Sequence, residues 1–322
     1  MFAPLPAPAE MSGWDRAAID LGLPELLLME NASREALHVL SAETGHMPGK
    51  RVLLFMGGGN NGGDAACLAR HLHDGGAEVL VLHTRPLGAY RGVTGQHVRL
   101  ARRCGVAFAP AAGWPEKSAI RRGMYMPTLP SARRGGPDIV VDGILGTGFS
   151  GSLRPLELEL VGRINALEQR AFIFSLDIPS GLSGLTGRPC PVAVRAHATV
   201  TFEAAKPGLV LPEAAPYTGR LHIRPIGIPA VARREHPASY QMITKAIAGA
   251  FPEAAPGVAQ GDRRGHFDRG RFGRAYGRAA SGRPGRLACR RRADQRHRSA
   301  RLVPGHQGGL PGHHDPCPRP CG

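Results

Sequence analysis

The sequence predicts an α/β fold with a mostly parallel sheet covered on both faces by helices. Three observations predict it. Short apolar runs recur at 52–56, 78–83, 138–145, 171–176 and 197–202. They lack the alternation of a half-exposed strand and read as strands buried on both faces. Stretches of helical character separate them, which implies crossover connections and a parallel sheet. Polar loops, each containing glycine, follow the strands at 57–64, 142–151, 177–181 and 203–208. In parallel sheets ligands bind at those carboxyl ends.

Taken in order, 11–21 reads as a helix with Trp14, Ala17, Ala18 and Leu21 on one side. Pro24 opens a second helix, whose apolar face runs from Leu26 through Ala32 and Ala36 to Leu40. Within it Asn31 is a poor interior helix residue, either exposed, bonded back to its own helix, or aimed at a site. The strand at 52–56 meets a turn in which five of seven residues are glycine, Gly57-Gly-Gly-Asn-Asn-Gly-Gly63, then Asp64. A helix over 63–75 follows and stops at Gly75-Gly76. Strand 78–83, helix 93–104 and a short strand at 106–108 come next. The segment 111–137, rich in Pro, Gly, Ser and basic residues, reads as a surface insertion. Strand 138–145, a helix over 155–168, strands 171–176 and 197–202, and an edge strand at 221–228 complete the pattern.

Strand, glycine turn and helix together present free backbone N–H groups to an anion. Gly57, Gly59 and Gly62 also spell the G-x-G-x-x-G spacing of dinucleotide sites. The acid that such sites place on a ribose is missing, because the strand at 78–83 runs out into Thr84-Arg85-Pro86. Asp64, Asp142 and Asp177 fall beside the polar turns, with Lys206 just past another strand. Together with Asn61 and Ser180 they are oxygen donors suited to a hard cation, monovalent or magnesium. No His/Cys spacing fits zinc, and neither a G-x-S-x-G elbow nor a G-x-x-x-x-G-K-[ST] loop occurs.

The formal charge of +16 raises a nucleic-acid role, but its placement argues against one. From residue 257 onward there are fifteen Arg, no Lys and four Asp, so +11 of that charge sits in the last 66 residues. No specific nucleic-acid partner and no membrane partner is expected. No apolar run reaches spanning length, and the N-terminus lacks the basic start and apolar core of a signal peptide. Six unpatterned cysteines fit a reducing, cytoplasmic setting.

Five stretches in order resemble the NAD(P)H-hydrate epimerase family. They are Leu28-Met-Glu-Asn-Ala32, Gly57-Gly-Gly-Asn-Asn-Gly-Gly-Asp64, Val141-Asp-Gly-Ile-Leu-Gly-Thr-Gly-Phe-Ser-Gly151, Ser175-Leu-Asp-Ile-Pro-Ser-Gly181 and Thr201-Phe-Glu-Ala-Ala-Lys-Pro-Gly208. Gly58 and Ala65 stand where Pro and Gly are more familiar. The resemblance implies a three-layer α/β/α Rossmann-like fold, a homodimer, and repair of NADH and NADPH hydrated at C6 of the nicotinamide ring by interconversion of its R and S forms. It implies that Asn60, Asn61, Gly62, Gly63 and Asp64 contact the hydrated dinucleotide. It implies the same of Gly146, Thr147, Gly148, Phe149, Ser150, Gly151, Ser152 and Asp177. A potassium ion would lie on Asn61, Asp142 and Ser180. For the chemistry, Asp177 is the expected proton-transferring group, with Lys206 holding it ionised or stabilising an oxyanion.

The resemblance covers an expected domain at 10–230, followed by a linker at 231–256. In many bacteria such proteins continue into a dehydratase domain. Here 257–322 is rich in Arg, Gly and Pro without apolar periodicity, and is expected to be disordered. The abrupt change of composition is what a reading-frame slip would cause. Two other functions compete with the epimerase reading. One is an NAD-dependent oxidoreductase, weakened by the missing ribose acid. The other is a nucleotide-binding protein without chemistry, weakened by the intact Asn61, Asp142, Asp177 and Lys206.

Overall fold

The structure, a computed structural model, describes residues 2–114 and 136–243. Most of the expected insertion at 111–137, the linker beyond residue 243 and the basic tail at 257–322 lie outside the described residues. Along the chain run β1 (Phe2–Leu5), α1 (Pro8–Asp20), α2 (Glu25–Thr44), β2 (Arg51–Met56), α3 (Asn60–Asp74), β3 (Glu78–His83), α4 (Gly92–Arg103) and β4 (Ala107–Pro110). Then come β5 (Ile139–Gly143), α5 (Pro155–Asn165), β6 (Phe172–Leu176), β7 (Ala198–Phe202), α6 (Ala215–Thr218), β8 (Arg220–Arg224), α7 (Ala230–Glu235) and β9 (Tyr240–Ile243).

Seven strands form one parallel sheet in the order β4-β3-β2-β5-β6-β7-β8. Alternate residues of β2 serve opposite faces. Val52, Leu54 and Met56 pack with residues of α1, α2, α3 and α4, while Leu53 and Phe55 pack with Leu160, Val161 and Ile164 of α5. These are the three layers α/β/α. From β2 the chain builds outward through β3 and β4, then crosses to the other side of β2 to begin β5. The strand order therefore reverses between β2 and β5, which is where a parallel sheet opens a crevice.

Several element ends differ from the sequence expectation for identifiable reasons. Helix α1 starts at Pro8, where its missing N–H is no loss, and Glu10 accepts from the Ala7 N–H at 2.7 Å. Helix α3 starts at Asn60, so the two asparagines form its first turn instead of a preceding loop. Helix α5 ends at Asn165, whose side chain donates to Ala193 O at 3.0 Å and accepts from Arg195 N at 2.8 Å. Strand β8 stops at Arg224 because Pro225 follows and the Glu203 carboxylate takes the N–H groups of Ile226 and Ile228.

Asn31 neither bonds its own helix nor points at the solvent. It donates to Ile226 O at 2.8 Å and fastens α2 to the segment after β8. Strands β1 and β9 form an antiparallel pair of their own, Phe2 opposite Ile243 and Leu5 opposite Tyr240. Beside it Trp14, 1% exposed, donates to His236 O at 2.5 Å and ties α1 to the end of α7.

Candidate functional site

A cleft of about 400 Å³ opens at the β2/β5 reversal. Its floor follows from the glycines of the β2–α3 turn and of the first turn of α3. A Cβ on Gly57 would lie 1.7 Å from Ile144 O, and one on Gly62 would lie 2.1 Å from Gly57 O. Only glycine lets the two turns approach so closely, and Gly57 N reaches Gly143 O at 3.0 Å across the gap. Asn60, Asn61 and Asp64 of α3 line the cleft, as do Gly146, Thr147, Gly148 and Phe149 from the β5–α5 connection, and Asp177 and Lys206. Gly62 and Gly63 pack beneath, Gly63 against Met29 and Thr94. Ser150, Gly151 and Ser152 are exposed and stand outside the cleft wall.

Asp177 follows β6 directly in a left-handed conformation, φ 62°. For a residue with a Cβ that geometry is uncommon and clusters at functional sites. It turns the carboxylate back over the strand ends. Lys206 Nζ donates to Asp177 Oδ1 at 2.6 Å, to Thr201 Oγ1 at 2.9 Å and to Phe202 O at 3.2 Å. Thr147 N donates to Asp177 Oδ2 at 3.0 Å and Thr201 Oγ1 to Oδ1 at 3.3 Å. The lysine is 1% exposed, so its charge has left water and is answered by this carboxylate and two neutral acceptors. The β7-end lysine and the β6-end aspartate, 29 residues apart in the chain, thus make one buried pair facing the cleft.

Asp142 lies at the end of β5 and is wholly buried. Its oxygens accept from Ser180 Oγ at 2.5 Å, Ser180 N at 2.8 Å, Ser175 Oγ at 3.0 Å and Ile144 N at 3.3 Å. All four donors are neutral. Burial therefore pushes this carboxyl above its ordinary range, and the hydrogen bonds pull the other way. Asn61 sits beside it through a shared residue. Asn61 Nδ2 donates to Leu145 O at 2.7 Å and Leu176 O at 3.1 Å, and Leu145 N donates to Ser180 Oγ at 2.9 Å. The Asn61 Oδ1 is buried with no hydrogen-bond partner. An orphaned oxygen, a hydroxyl and a carboxylate whose four donors are all neutral make an oxygen-only donor set that fits a hard cation.

Asp64 is buried as well, and burial together with the charges of Asp177 and Asp15 raises its carboxyl well above the usual range. Residues not foreseen from the sequence also line the cleft. Ser12 and Asp15 come from α1, Glu25 and Met29 from α2, Arg85 from beyond β3, and Arg154 from the start of α5. Arg85 was visible where a ribose acid was sought and not found. The α1 residues carried no signal, because an amphipathic helix pattern accounts for them.

Elsewhere, Glu30, Cys67 and His71 bring possible ligand atoms within 4.8 Å of one another, a grouping that cysteine and histidine spacing alone did not reveal. Arg70 already supplies the cation there, with Nη2 2.7 and 2.8 Å from the two Glu30 oxygens. Burial pushes the Cys67 thiol up to about 12, so it stays protonated.

Similarity to known proteins agrees with this geometry. The protein named NAD(P)H-hydrate epimerase from Rhodopirellula baltica is 36% identical over 207 residues, 64% of this chain and 77% of that protein. A namesake from Nitrosopumilus maritimus is 32% identical over 65% of this chain and 89% of its own length. The bifunctional NAD(P)H-hydrate repair enzyme Nnr of Methanothermobacter thermautotrophicus is 38% identical over 229 residues. That match takes in 70% of this chain but 40% of the relative, so the chain spans well under half of such two-function proteins. The crystal structure of yeast YNL200c shares the fold, with a TM-score of 0.56 at 18% identity over 74% of this chain and 95% of the yeast chain. The family described as YjeF-related protein N-terminus matches residues 25–208, more than half of the chain, and the chain belongs to that family.

Proposed function

We propose that this chain is an isomerase, a NAD(P)H-hydrate epimerase, which interconverts the R and S forms of NADH and NADPH hydrated at C6 of the nicotinamide ring. The observation that carries the reading is the buried Asp177–Lys206 pair facing a cleft at the strand-order reversal, in a chain of this family. The turn at 57–60 and the loop at 146–149 offer backbone to a dinucleotide, and Arg85 and Arg154 offer positive charge to its phosphates. An oxidoreductase reading loses support at β3, which is followed by Arg85 where such enzymes hold a ribose hydroxyl with an acid.

Epimerisation needs a group that removes a proton from oxygen on one face of C6 and a donor on the other. Asp177 is placed for the first, and Lys206 with Thr147 N fixes its orientation. We assign the cation to potassium, held by Asn61, Asp142 and Ser180. Bound there, it supplies the positive charge that the neutral donors around Asp142 do not. The reading carries with it a homodimer in the cytoplasm. No helix among the described residues is long and apolar enough to cross a membrane.

The test mixes the protein with both epimers of hydrated NADPH and a dehydratase that consumes only the S form. The R form should then disappear at a rate set by the amount of this protein. An R form that persists while S is exhausted would refute the reading.

A further inference from the structure

Asp15 is the acid that α1 brings to the cleft wall, and like Asp64 and Glu25 its carboxyl has no hydrogen-bond partner among the described residues. Helix α1 buries Met11, Trp14, Ala17 and Ala18, and the Trp14 bond to His236 O fixes its rotation. With that face anchored, Met11, Ser12, Asp15 and Ile19 form one wall of the cleft. Asp177 spends both oxygens on Lys206, Thr201 and Thr147. The Asp15 carboxyl, part-buried on the same cleft, makes no hydrogen bond or ion pair with any described residue. A carboxyl that is half out of water, on a ligand cleft and without a partner is poorly explained as a fold-stabilising group.

We propose that Asp15 is a second catalytic residue, the proton donor to the oxygen on C6, working with Asp177 across the bound ring. The assignment rests on the epimerase reading above. A proton passes from the Asp15 carboxyl to the C6 hydroxyl oxygen. The C6–O bond breaks, its electron pair leaves on water, and the N1 lone pair forms an N1=C6 double bond. Water then adds to the opposite face. Its oxygen makes the new C6–O bond, the N1=C6 pair returns to N1, and Asp177 accepts the released proton. The opposite epimer runs the same steps with the two carboxyls exchanged, and both reset their protons with solvent between turnovers.

The surroundings suit a donor. Burial pushes the Asp15 carboxyl up to about 6, opposed by the Lys206 charge and aided by Asp177, Glu25 and Glu203. Asp64 faces it from α3, and Arg85 and Arg154 line the same cleft. From α7, which packs on α1, Arg233 is tied to Glu203. A carboxyl near 6 keeps a proton to higher pH than an ordinary aspartate, which matches a general acid working near neutrality.

The experiment compares wild type, Asp15→Asn and Asp15→Glu for kcat from pH 5 to 9, substrate affinity and Tm. Asp15→Asn should lower kcat by about 100-fold or more and flatten the pH limb near 6, with Kd for the hydrate changed less than about 3-fold. It should raise Tm at pH 7.5, because it removes a charge that burial disfavours, and that gain should fade toward pH 4. Asp15→Glu should recover much of the rate. Asp15→Asn with near wild-type kcat and an intact pH limb overturns the assignment. So does loss of activity, affinity and Tm together, the pattern of a structural residue. Should the asparagine variant not fold, Asp15→Ser is read by the same criteria. Wild type inactive on the hydrate overturns the epimerase reading and this assignment with it, whereas active wild type with active Asp15→Asn overturns this assignment alone.

Discussion

The Lys206 ammonium lies 2.6 Å from the Asp177 carboxylate, and that lysine is the most deeply buried cation on the cleft. The pair unites the carboxyl ends of two neighbouring strands, β6 and β7. Removing one partner should hurt more than removing both. Lys206→Met leaves an unanswered buried carboxylate and should cost about 3–5 kcal/mol in urea unfolding. Asp177→Asn with Lys206→Met should recover much of that stability while epimerisation stays at least about 100-fold down.

Potassium should stabilise the protein through Asp142. In a thermal melt, replacing potassium by lithium or choline at equal ionic strength should lower Tm for wild type. Asp142→Asn should show no such difference, because the buried carboxylate that needs the counter-charge is gone. An identical ion response in both proteins would refute the cation site.

Two glycines at the start of α3 should behave differently, Gly59 just before the helix and Gly62 in its first turn. A methyl at Gly62 meets Gly57 O at 2.1 Å, so Gly62→Ala should lose about 1–3 kcal/mol of stability. Gly59 has open space around its would-be Cβ and lines the cleft. Gly59→Ala should leave Tm nearly unchanged and raise KM for the hydrate instead.

Glu30 gives a pH signature. Burial opposes its ionisation, but hydrogen bonds from Arg70 and Cys67 and the charge of His71 outweigh it and hold the carboxyl at about 2. The folded value lies below the unfolded one of 4.5. Its stabilisation is therefore present above about pH 4.5 and lost as pH falls toward 2. Glu30→Gln should destabilise by on the order of 1 kcal/mol at pH 7, discounted for solvent screening, and the difference should shrink as pH falls from about 4.5 to about 2.

The ends of the domain predict where the chain can be shortened. Ending it at Phe251 keeps β9 against β1 and the Trp14–His236 bond. Tm and activity should then persist, while all of the +11 charge beyond residue 256 is removed. Ending at Pro229 removes α7 and β9 and should lower Tm by several degrees.

Much of this was legible in the residues. Strands buried on both faces read as unbroken apolar runs, so β2, β3, β5, β6 and β7 were located within a few residues. That Asp142, Asp177, Asn61 and Ser180 gather at one end of the sheet was legible because each lies beside a turn that follows a parallel strand. The start of α3 was not, since Asn60 to Gly63 have poor helix propensity and are held helical by tight packing on the neighbouring turn. The β1–β9 pair joins residues some 240 apart and shows no alternation in four-residue strands. Asp15 was hidden because its role depends on the rotation of α1, which Trp14 sets through a contact 222 residues away.

The most direct measurement starts from the pure S epimer of hydrated NADPH and follows the R epimer by chromatography. Wild type should bring the two to the same equilibrium ratio reached slowly without protein, faster in proportion to its concentration, and Asp177→Asn should not. An R epimer that forms no faster with wild type than in buffer, or equally fast with Asp177→Asn, would contradict the account.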